Sequence, residues 1–407
     1  MRILFFSDNY PPETNAPAVR TREHARVWVE RGHDVTVVTC APNFPTGRLH
    51  EGYRNAYCVD TVDGVRVVRV WSYIAANKGT VRRSLDFLSF MLSAVPAGLL
   101  QSRPDVVVGT SPQLFAVVAA WLVARLRRAP CVFELRDLWP ESIEAVGASG
   151  SSVFMRAVGR LAGFLYRHVD HIVCVTRSFA SILAERGIPP VKISVVLNGV
   201  DLDEFSPRAA DEEFRSRMGV GKDGMLVTYL GTVGMAHGLG NVLDAAELSG
   251  DERTRFLIVG EGAEKAALRA SALERGLRNV IFLDGQPRGQ VPRILSASDA
   301  VLVHLRDDPL FRTVIPSKIF EAMAMARPIV LAVRGESRSL VERTRSGIAV
   351  EPGNPGELVD AIERLASDPE LRAELGRNGR RSAELEFGRE EAAVKMLDVL
   401  SEVAAAS

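Results

Sequence analysis

Short runs of Val, Ile and Leu alternate along the chain with longer segments whose apolar residues recur at helical spacing. Runs that are apolar at every position, rather than at every second one, are typical of parallel strands covered by helices on both faces. The first such helix is predicted from about Ala18 to Arg31. The pattern in the first half predicts strands at Ile3–Phe6, Val35–Thr39, Val106–Gly109, Cys131–Leu135 and Ile172–Val175.

A second series of strands and helices follows a change of composition. The stretch from Val191 to Pro207 passes from a strand into turn-forming residues, and a charged stretch follows it as far as Arg217. Because 407 residues exceed the size of one usual core, we place a domain boundary here. We expect two doubly wound α/β halves that face a central cleft, the second with strands at Met225–Tyr229, Phe256–Val259, Val280–Leu283, Ala300–Val303 and Pro328–Ala332.

Composition excludes some classes of function. Fifty basic and fifty acidic residues give no net charge, which argues against general nucleic-acid binding. Cys40, Cys58, Cys131 and Cys174 show no C-x-x-C spacing, so we expect free thiols with neither a metal site nor a disulfide, and no cofactor. The first apolar run is too short for a signal peptide, and a cytoplasmic protein is therefore expected.

The stretch from Ile315 to Pro328 is predicted to be a short helix bracketed by prolines. Ser317, Lys318 and Glu321 share one face near its N-terminus. Free N–H groups, the helix dipole and Lys318 attract an anion, while a carboxylate one turn on can accept hydrogen bonds from ribose hydroxyls. This combination suits a nucleoside diphosphate. The alternative is an ordinary amphipathic helix with a surface Lys–Glu pair.

Glycines recur in loops after the strands of the second half. Gly231, Gly234 and Gly238 would let the backbone approach an anion ahead of a helix that begins at about Leu239. A second turn begins at Gly260, and the loop 284–287, which contains Gln286, could offer backbone groups to a base.

Polar loops after the strands of the first half are candidates for the second substrate. The loop 7–17 places the small residues Asn15 and Ala16 where a helix should begin, although it could be a merely ordered connection. Arg136, Asp137 and Trp139 follow a predicted buried strand that also carries Glu134. Asp137 could orient or deprotonate an acceptor hydroxyl and Trp139 could pack on a sugar ring. Asp137 could instead cap a helix.

Two segments, Val81–Leu100 and Val153–Tyr166, are more apolar than surface helices need to be, and arginines edge both. Neither is predicted to span a membrane, because Asp86 and Pro96 interrupt the first and the second is too short. Such helices fit an anionic membrane surface, with Phe87 and Phe90 inserted and Arg82 and Arg83 attracting lipid. The alternative is that both helices only pack on the sheet.

These motifs together resemble the retaining glycosyltransferases of family 4, which have the GT-B fold. The resemblance covers nearly the whole chain. It implies that Glu321 contacts the nucleotide ribose, that the loop 231–238 holds the diphosphate, and that a last helix returns to the N-terminal domain. The domains would then be 1–197 for the acceptor, 198–384 for the nucleotide sugar and 385–407 for the terminal helix. The matching motifs are S-V-V-L-N-G-V-D-L-D-E-F-S-P, F-L-I-V-G-E-G, V-I-F-L-D-G-Q, S-D-A-V-L-V and K-I-F-E-A-M-A-M-A-R-P-I-V.

The chain departs from the family pattern at charged positions. Thr313 stands where the family's E-x7-E motif has its first glutamate, and Thr232 and His237 replace the usual Arg and Lys of the glycine loop. Lys318 must then neutralise much of the diphosphate, helped by Arg312. The expected donor-binding residues are Gly231, Thr232, Gly234, His237, Gly238, Gly260, Gln286, Arg312, Ser317, Lys318 and Glu321. The expected acceptor-binding residues are Asn15, Ala16, Arg136, Asp137 and Trp139, with Lys318 and Asp137 catalytic.

The D-L-W-P-E-S loop and the P-S-K sequence are similar to the subgroup of fucosamine transferases and of enzymes that assemble O-antigen, capsule and colanic acid. This resemblance implies transfer of a hexosyl or N-acetylhexosaminyl unit from a UDP sugar to a polyprenyl-diphosphate-linked acceptor, at the inner face of the cell membrane. Two alternatives share the architecture: a UDP-N-acetylglucosamine 2-epimerase and a non-catalytic nucleotide-sugar-binding subunit.

Overall fold

The computed structural model describes residues 1–44, 46–74, 80–142, 152–249 and 253–406. The chain divides into two compact units, Met1–Asn198 with Arg389–Ser407, and Gly199–Gly388. The first unit ends its main segment at residue 198, where the sequence predicts 197, and the second unit ends at residue 388, where the sequence predicts 384.

An eight-stranded sheet forms the centre of the first unit. Its strands are β1 (Arg2–Phe6), β2 (Asp34–Cys40), β3 (Cys58–Val62), β4 (Val65–Val70), β5 (Val106–Thr110), β6 (Cys131–Leu135), β7 (His171–Cys174) and β8 (Ile193–Val195). The strand order is β3-β4-β2-β1-β5-β6-β7-β8. Every neighbouring pair is parallel except β3 and β4, an edge hairpin that the sequence did not predict. The continuous apolar runs of β5 and β6 are buried at every position, as in strands covered on both faces.

The second unit contains a six-stranded parallel sheet. Its strands are β9 (Met225–Leu230), β10 (Thr254–Val259), β11 (Val280–Leu283), β12 (Ala300–His304), β13 (Ile329–Ala332) and β14 (Gly347–Ala349). The strand order is β11-β10-β9-β12-β13-β14. The strands β9, β10 and β11 are therefore neighbours, and the loops that follow them lie side by side at the carboxyl edge.

Helices cover both sheets. In the described ranges they are α1 (Ala16–Glu30), α2 (Thr80–Leu99), α3 (Leu114–Arg127), α4 (Ser152–His168), α5 (Arg177–Glu185), α6 (Glu212–Arg217), α7 (Gly240–Ser249), α8 (Lys265–Glu274), α9 (Val291–Ala297), α10 (Ser317–Ala324), α11 (Glu336–Thr344), α12 (Pro355–Ser367), α13 (Pro369–Glu386) and α14 (Arg389–Ala405). The last helix, α14, belongs to the first unit, where the Trp28 indole N–H of α1 donates to the Ala393 carbonyl at 2.8 Å. Met396 and Leu400 of α14 are fully buried in the same core.

Helix α2 has one buried face and one exposed apolar face. Phe90 is 0% exposed, so the expectation that its ring inserts into a membrane is wrong, because that ring fills the protein core. Phe87 is half-buried. Leu85, Leu88 and Leu92 are 49%, 38% and 63% exposed, and their spacing of three and four residues places them on one side of the helix. We call these three residues the leucine face.

No helix in the described part of the chain combines the length and the apolar character needed to cross a membrane.

Replacing Phe90 by Ala should lower the free energy of unfolding by about 3–5 kcal/mol, because a fully buried ring leaves a cavity. Leu92→Ala, on the exposed side of the same helix, should change it by less than about 0.5 kcal/mol. Urea unfolding of both variants measures the difference. Equal losses of stability in the two variants would contradict the assignment of Phe90 to the buried face of α2 and of Leu92 to its exposed face.

Candidate active site

Backbone hydrogen bonds join the loops that follow β9 and β10. The Val233 N–H donates to the Glu261 carbonyl at 2.8 Å, and the Glu264 N–H donates to the Val233 carbonyl at 3.1 Å. The Glu261 carboxylate then accepts from the Gly285 N–H at 2.9 Å, which ties in the loop after β11. Three neighbouring loops therefore form one connected surface at the edge where parallel sheets bind ligands.

Glycine is required where these loops touch. A Cβ on Gly260 would lie 1.8 Å from the Gly231 carbonyl oxygen, and a Cβ on Gly262 would lie 2.1 Å from the Val233 carbonyl oxygen. Both glycines also have φ values, +151° and +158°, that side-chain-bearing residues rarely adopt. The close approach of the two loops thus depends on the absence of side chains.

Lys318 lies beneath the glycine loop. Helix α10 begins at Ser317 with Pro316 before it, which places Lys318 in the first helical turn. Its Nζ is 4.0 Å from the centroid of the Tyr229 ring, and a Cβ on Gly231 would lie 2.8 Å from that nitrogen. Burial lowers the pKa of Lys318 to about 8, and the charge of Glu321 partly opposes this shift. The ammonium is therefore still mainly protonated at neutral pH.

The other expected donor-binding residues described here lie in the glycine loop or on α10. Thr232 presents its carbonyl to the Tyr229 hydroxyl, and Gly238 adopts the left-handed conformation, with φ +57°, just before α7. Ser317 is exposed and Glu321 is half-buried on α10. Gly234 precedes the single 3-10 turn 235–237 of the loop.

Arg312 and His237 are the other expected donor-binding side chains that could carry positive charge. Burial and the nearby Lys318 charge lower the pKa of His237 to about 4, so its imidazole is neutral at pH 7 and cannot replace the family's lysine. The Arg312 guanidinium pairs with Asp307 at 3.0 Å, and the same carboxylate also pairs with Arg334 at 2.6 Å. Gln286 donates its amide to the Asp284 carbonyl of its own loop. Lys318 has its charged atom against Gly231 of the glycine loop.

The polar loop of the first unit is tied to the neighbouring strand. The Ser111 hydroxyl, just after β5, accepts hydrogen bonds from the backbone N–H groups of Arg136 and Asp137 at 2.7 and 3.2 Å. Burial raises the pKa of Asp137 to about 6, against the opposing charge of Arg136. Burial likewise lowers the pKa of Arg136 to about 10. Asp137 therefore titrates in the range useful for proton transfer.

Several polar atoms beside Asp137 have no partner. Within the ranges that the structure describes, neither amide atom of Gln113, nor Arg136 Nη1, nor Trp139 Nε1 is hydrogen-bonded. Gln113 is only 3% exposed. Since buried polar groups are normally satisfied, these unpartnered atoms mark this loop as a candidate ligand-binding site. Sequence reasoning missed Gln113, although its position just beyond the carboxyl end of β5 is a signal for a ligand-binding loop.

Glu134 and Asn15 have structural roles. Burial alone would raise the pKa of Glu134, but the positive charges of Arg20 and Arg136 outweigh it and lower that pKa to about 2. Arg20 binds the Glu134 carboxylate at 2.7 Å and the Asn198 side chain at 3.1 Å, which joins α1, β6 and the end of the first segment. Asn15 accepts from the Ala18 N–H at 3.0 Å and so caps α1, whose first residue is Ala16.

Two family models match the chain. The model described as Glycosyl transferase 4-like domain matches residues 15–199, and the model described as Glycosyl transferases group 1 matches residues 210–382. A protein of Escherichia coli (strain K12), WcaI, described as a candidate colanic acid biosynthesis glycosyl transferase, is 30% identical over 377 residues. The match covers 89% of this chain and 92% of that protein.

Solved structures share the fold. Sucrose-phosphate synthase from Thermosynechococcus elongatus matches with a TM-score of 0.79 and 16% identity over 100% of both chains. The Anabaena protein HepE in complex with UDP-glucose matches with a TM-score of 0.74 and 18% identity, over 99% of this chain and 100% of that one. At these identities the two matches concern the fold alone.

Gly260→Ala should destabilise the protein by at least about 1–3 kcal/mol, because both the φ angle and the contact with Gly231 exclude a Cβ. Gly240→Ala is the control, since a Cβ there meets nothing within 4 Å and the residue begins a helix. Urea unfolding compares the two. If Gly260→Ala were as stable as the control, the two loops would not be in the backbone contact described here.

Proposed function

Because the chain belongs to glycosyltransferase family 4, we propose that it moves a hexosyl or N-acetylhexosaminyl unit, with retention, from a UDP sugar to a polyprenyl-diphosphate-linked acceptor. It is a GT-B glycosyltransferase of the polysaccharide-biosynthesis type. To this activity the proposal adds the identity of the donor, the identity of the acceptor and retention of the anomeric configuration.

The observation that carries the proposal is Lys318 beneath the glycine loop. As the bond between the anomeric carbon and the diphosphate oxygen breaks, negative charge grows on the leaving group. Lys318 and the free N–H groups at the start of α10 stabilise that charge. The acceptor oxygen forms the new bond to the anomeric carbon, and its proton passes to the leaving diphosphate. Asp137 orients the acceptor hydroxyl.

One feature of α10 favours a nucleotide sugar of any base, and one structural relative favours UDP. Glu321, one turn beyond Lys318 on α10, offers a carboxylate to ribose hydroxyls. The HepE structure that shares this fold holds UDP-glucose. In this proposal the backbone groups of the loop 284–287 receive the base, and the joined loops 231–238 and 260–264 receive the diphosphate.

A lipid-linked acceptor is supported by the surface of the first unit. The leucine face is exposed, and Arg82 lies exposed one turn before Leu85. Trp71 and Tyr73 are 50% and 42% exposed, and the Tyr73 N–H donates to the Ser89 hydroxyl of α2 at 2.7 Å. Exposed leucines beside Trp and Tyr suit the interface of a membrane. We place the protein in the cytoplasm, peripheral on the inner face of the membrane.

A thermal-shift screen of nucleotide sugars tests the donor assignment. A ligand at 100 times its Kd adds about 2.7 kcal/mol of stability, so the true donor stands out from the panel. UDP sugars should raise the melting temperature and other nucleotide sugars should not. A shift with a sugar of another base alone would replace the UDP assignment, and no shift with any member would overturn donor binding.

Lys318→Ala should reduce kcat by roughly 100- to 1,000-fold and raise the donor KM far less, because the charge it stabilises grows towards the transition state. Lys318→Arg should restore only part of the loss, since a planar fork replaces a compact charge. The exposed Lys222→Ala is the control and should match the parent. Steady-state kinetics that left Lys318→Ala within a few-fold of the parent would contradict the assignment.

Asp137→Asn should lower transfer activity and yet gain stability relative to the parent as the pH rises. In the folded protein the pKa of Asp137 is about 6, whereas the ordinary value for this group is 3.8. Stability contributed by this group is therefore lost as the pH rises from about 4 to about 6, whereas Asn does not titrate. Urea unfolding at pH 5 and pH 8 measures the effect. A stability difference that is the same at both pH values would contradict the burial of the carboxylate.

The triple variant Leu85→Gln, Leu88→Gln, Leu92→Gln should bind anionic vesicles at least tenfold more weakly, since each inserted CH₂ group contributes about 0.8 kcal/mol. The matched control changes three exposed leucines elsewhere, Leu126, Leu248 and Leu273, to Gln. Sedimentation with phosphatidylglycerol vesicles compares the two. Equal binding by both folded triple variants would remove the leucine face from the proposal.

A further inference from the structure

Tyr229 lies between the glycine loop and Lys318 and contacts both. It is near the end of β9 and only 1% exposed. Its hydroxyl donates to the Thr232 carbonyl at 2.6 Å, while the face of its ring lies 4.0 Å from Lys318 Nζ. One side chain therefore connects the loop backbone with the cation beneath it.

The two ends of the tyrosine act by different physical interactions. Burial raises the pKa of Tyr229, so the phenol keeps its proton and can donate to Thr232. The π face of the ring attracts an ammonium within about 6 Å and attracts it more strongly where water is excluded. It thereby takes the place of water around Lys318 Nζ without forming a hydrogen bond that a phosphate would have to break.

We propose that Tyr229 is a positioning residue for the donor diphosphate, whose ring holds the Lys318 ammonium and whose hydroxyl holds the glycine loop. The proposal rests on the donor role assigned to Lys318 above. A residue that only filled the core could be replaced by another apolar residue without altering ligand affinity, provided that the fold survived. A positioning residue acts through Lys318, and its effect depends on Lys318 being present.

A double-mutant cycle on UDP affinity tests this dependence, because residues that act together have non-additive effects. UDP is the probe, with GDP as a second one, and calorimetry gives Kd for the parent, Tyr229→Leu, Lys318→Ala and the double variant. Tyr229→Leu should weaken binding about tenfold in the parent and less than about twofold once Lys318 is already Ala.

Tyr229→Phe separates the ring from the hydroxyl. It keeps the π face, so it should lose only a few-fold in affinity, and that loss should persist in the Lys318→Ala background because the hydroxyl acts on Thr232. Phe256→Leu is the structural control, since it removes a buried ring from the neighbouring strand β10 of the same sheet. It should leave UDP affinity unchanged.

The outcomes distinguish this inference from the donor proposal. If Lys318→Ala weakens UDP but Tyr229→Leu has no effect or an additive one, Tyr229 is not a positioning residue and the donor proposal stands. Equal losses in Phe256→Leu and Tyr229→Leu would also overturn the inference, because core damage alone would explain them. An unchanged UDP affinity in Lys318→Ala overturns this inference, and a parent that binds neither probe overturns the donor proposal as well.

Discussion

A partly desolvated ammonium held beneath the glycine loop 231–238 is the interaction on which the donor half depends. Burial lowers the pKa of Lys318 to about 8, which means that its surroundings compensate its charge incompletely. A bound diphosphate would complete that compensation. Position 231 favours glycine by its φ of +147°, and a Cβ there would lie 2.8 Å from the Lys318 nitrogen and so displace it. Gly260 and Gly262 are required in turn, since they let the next loop support this one by backbone contact.

In the first unit, the short segment 134–137 contains one charged residue with a structural role and two charged residues proposed to bind substrate. Glu134 pairs with Arg20 through its Oε1 atom, and this buried pair joins α1 to β6. Removing one member of such a pair leaves an uncompensated buried charge. Two residues further on, Arg136 and Asp137 have their backbone fixed by Ser111, while Arg136 Nη1 has no partner within the described ranges. The rigid pair thus supports a loop whose side chains can bind a substrate.

Continuous apolar runs made strands of both sheets predictable: Cys131–Leu135 and Val280–Leu283 have the bounds that the sequence suggests. The β3–β4 hairpin was missed because β3 is an edge strand with mostly exposed side chains. The burial of Phe90 was also missed, because helical spacing defines an apolar face without telling which part of it meets the core.

Partners that depend on tertiary structure could not be predicted either. The pairing of Arg312 with Asp307 and the low pKa of His237 depend on how the loops fold around them. Tyr229 lies in an apolar strand and therefore looks like an ordinary core residue in the sequence. Its contact with Lys318 joins positions far apart in the chain, and only the fold brings them together.

The most direct test of the donor site is a crystal structure of the protein with UDP. Oxygens of the diphosphate should lie about 2.7–3.0 Å from Lys318 Nζ and from backbone N–H groups of the loop 231–238. A diphosphate bound elsewhere, with Lys318 Nζ still resting on the Tyr229 ring and no phosphate oxygen near it, would contradict the account.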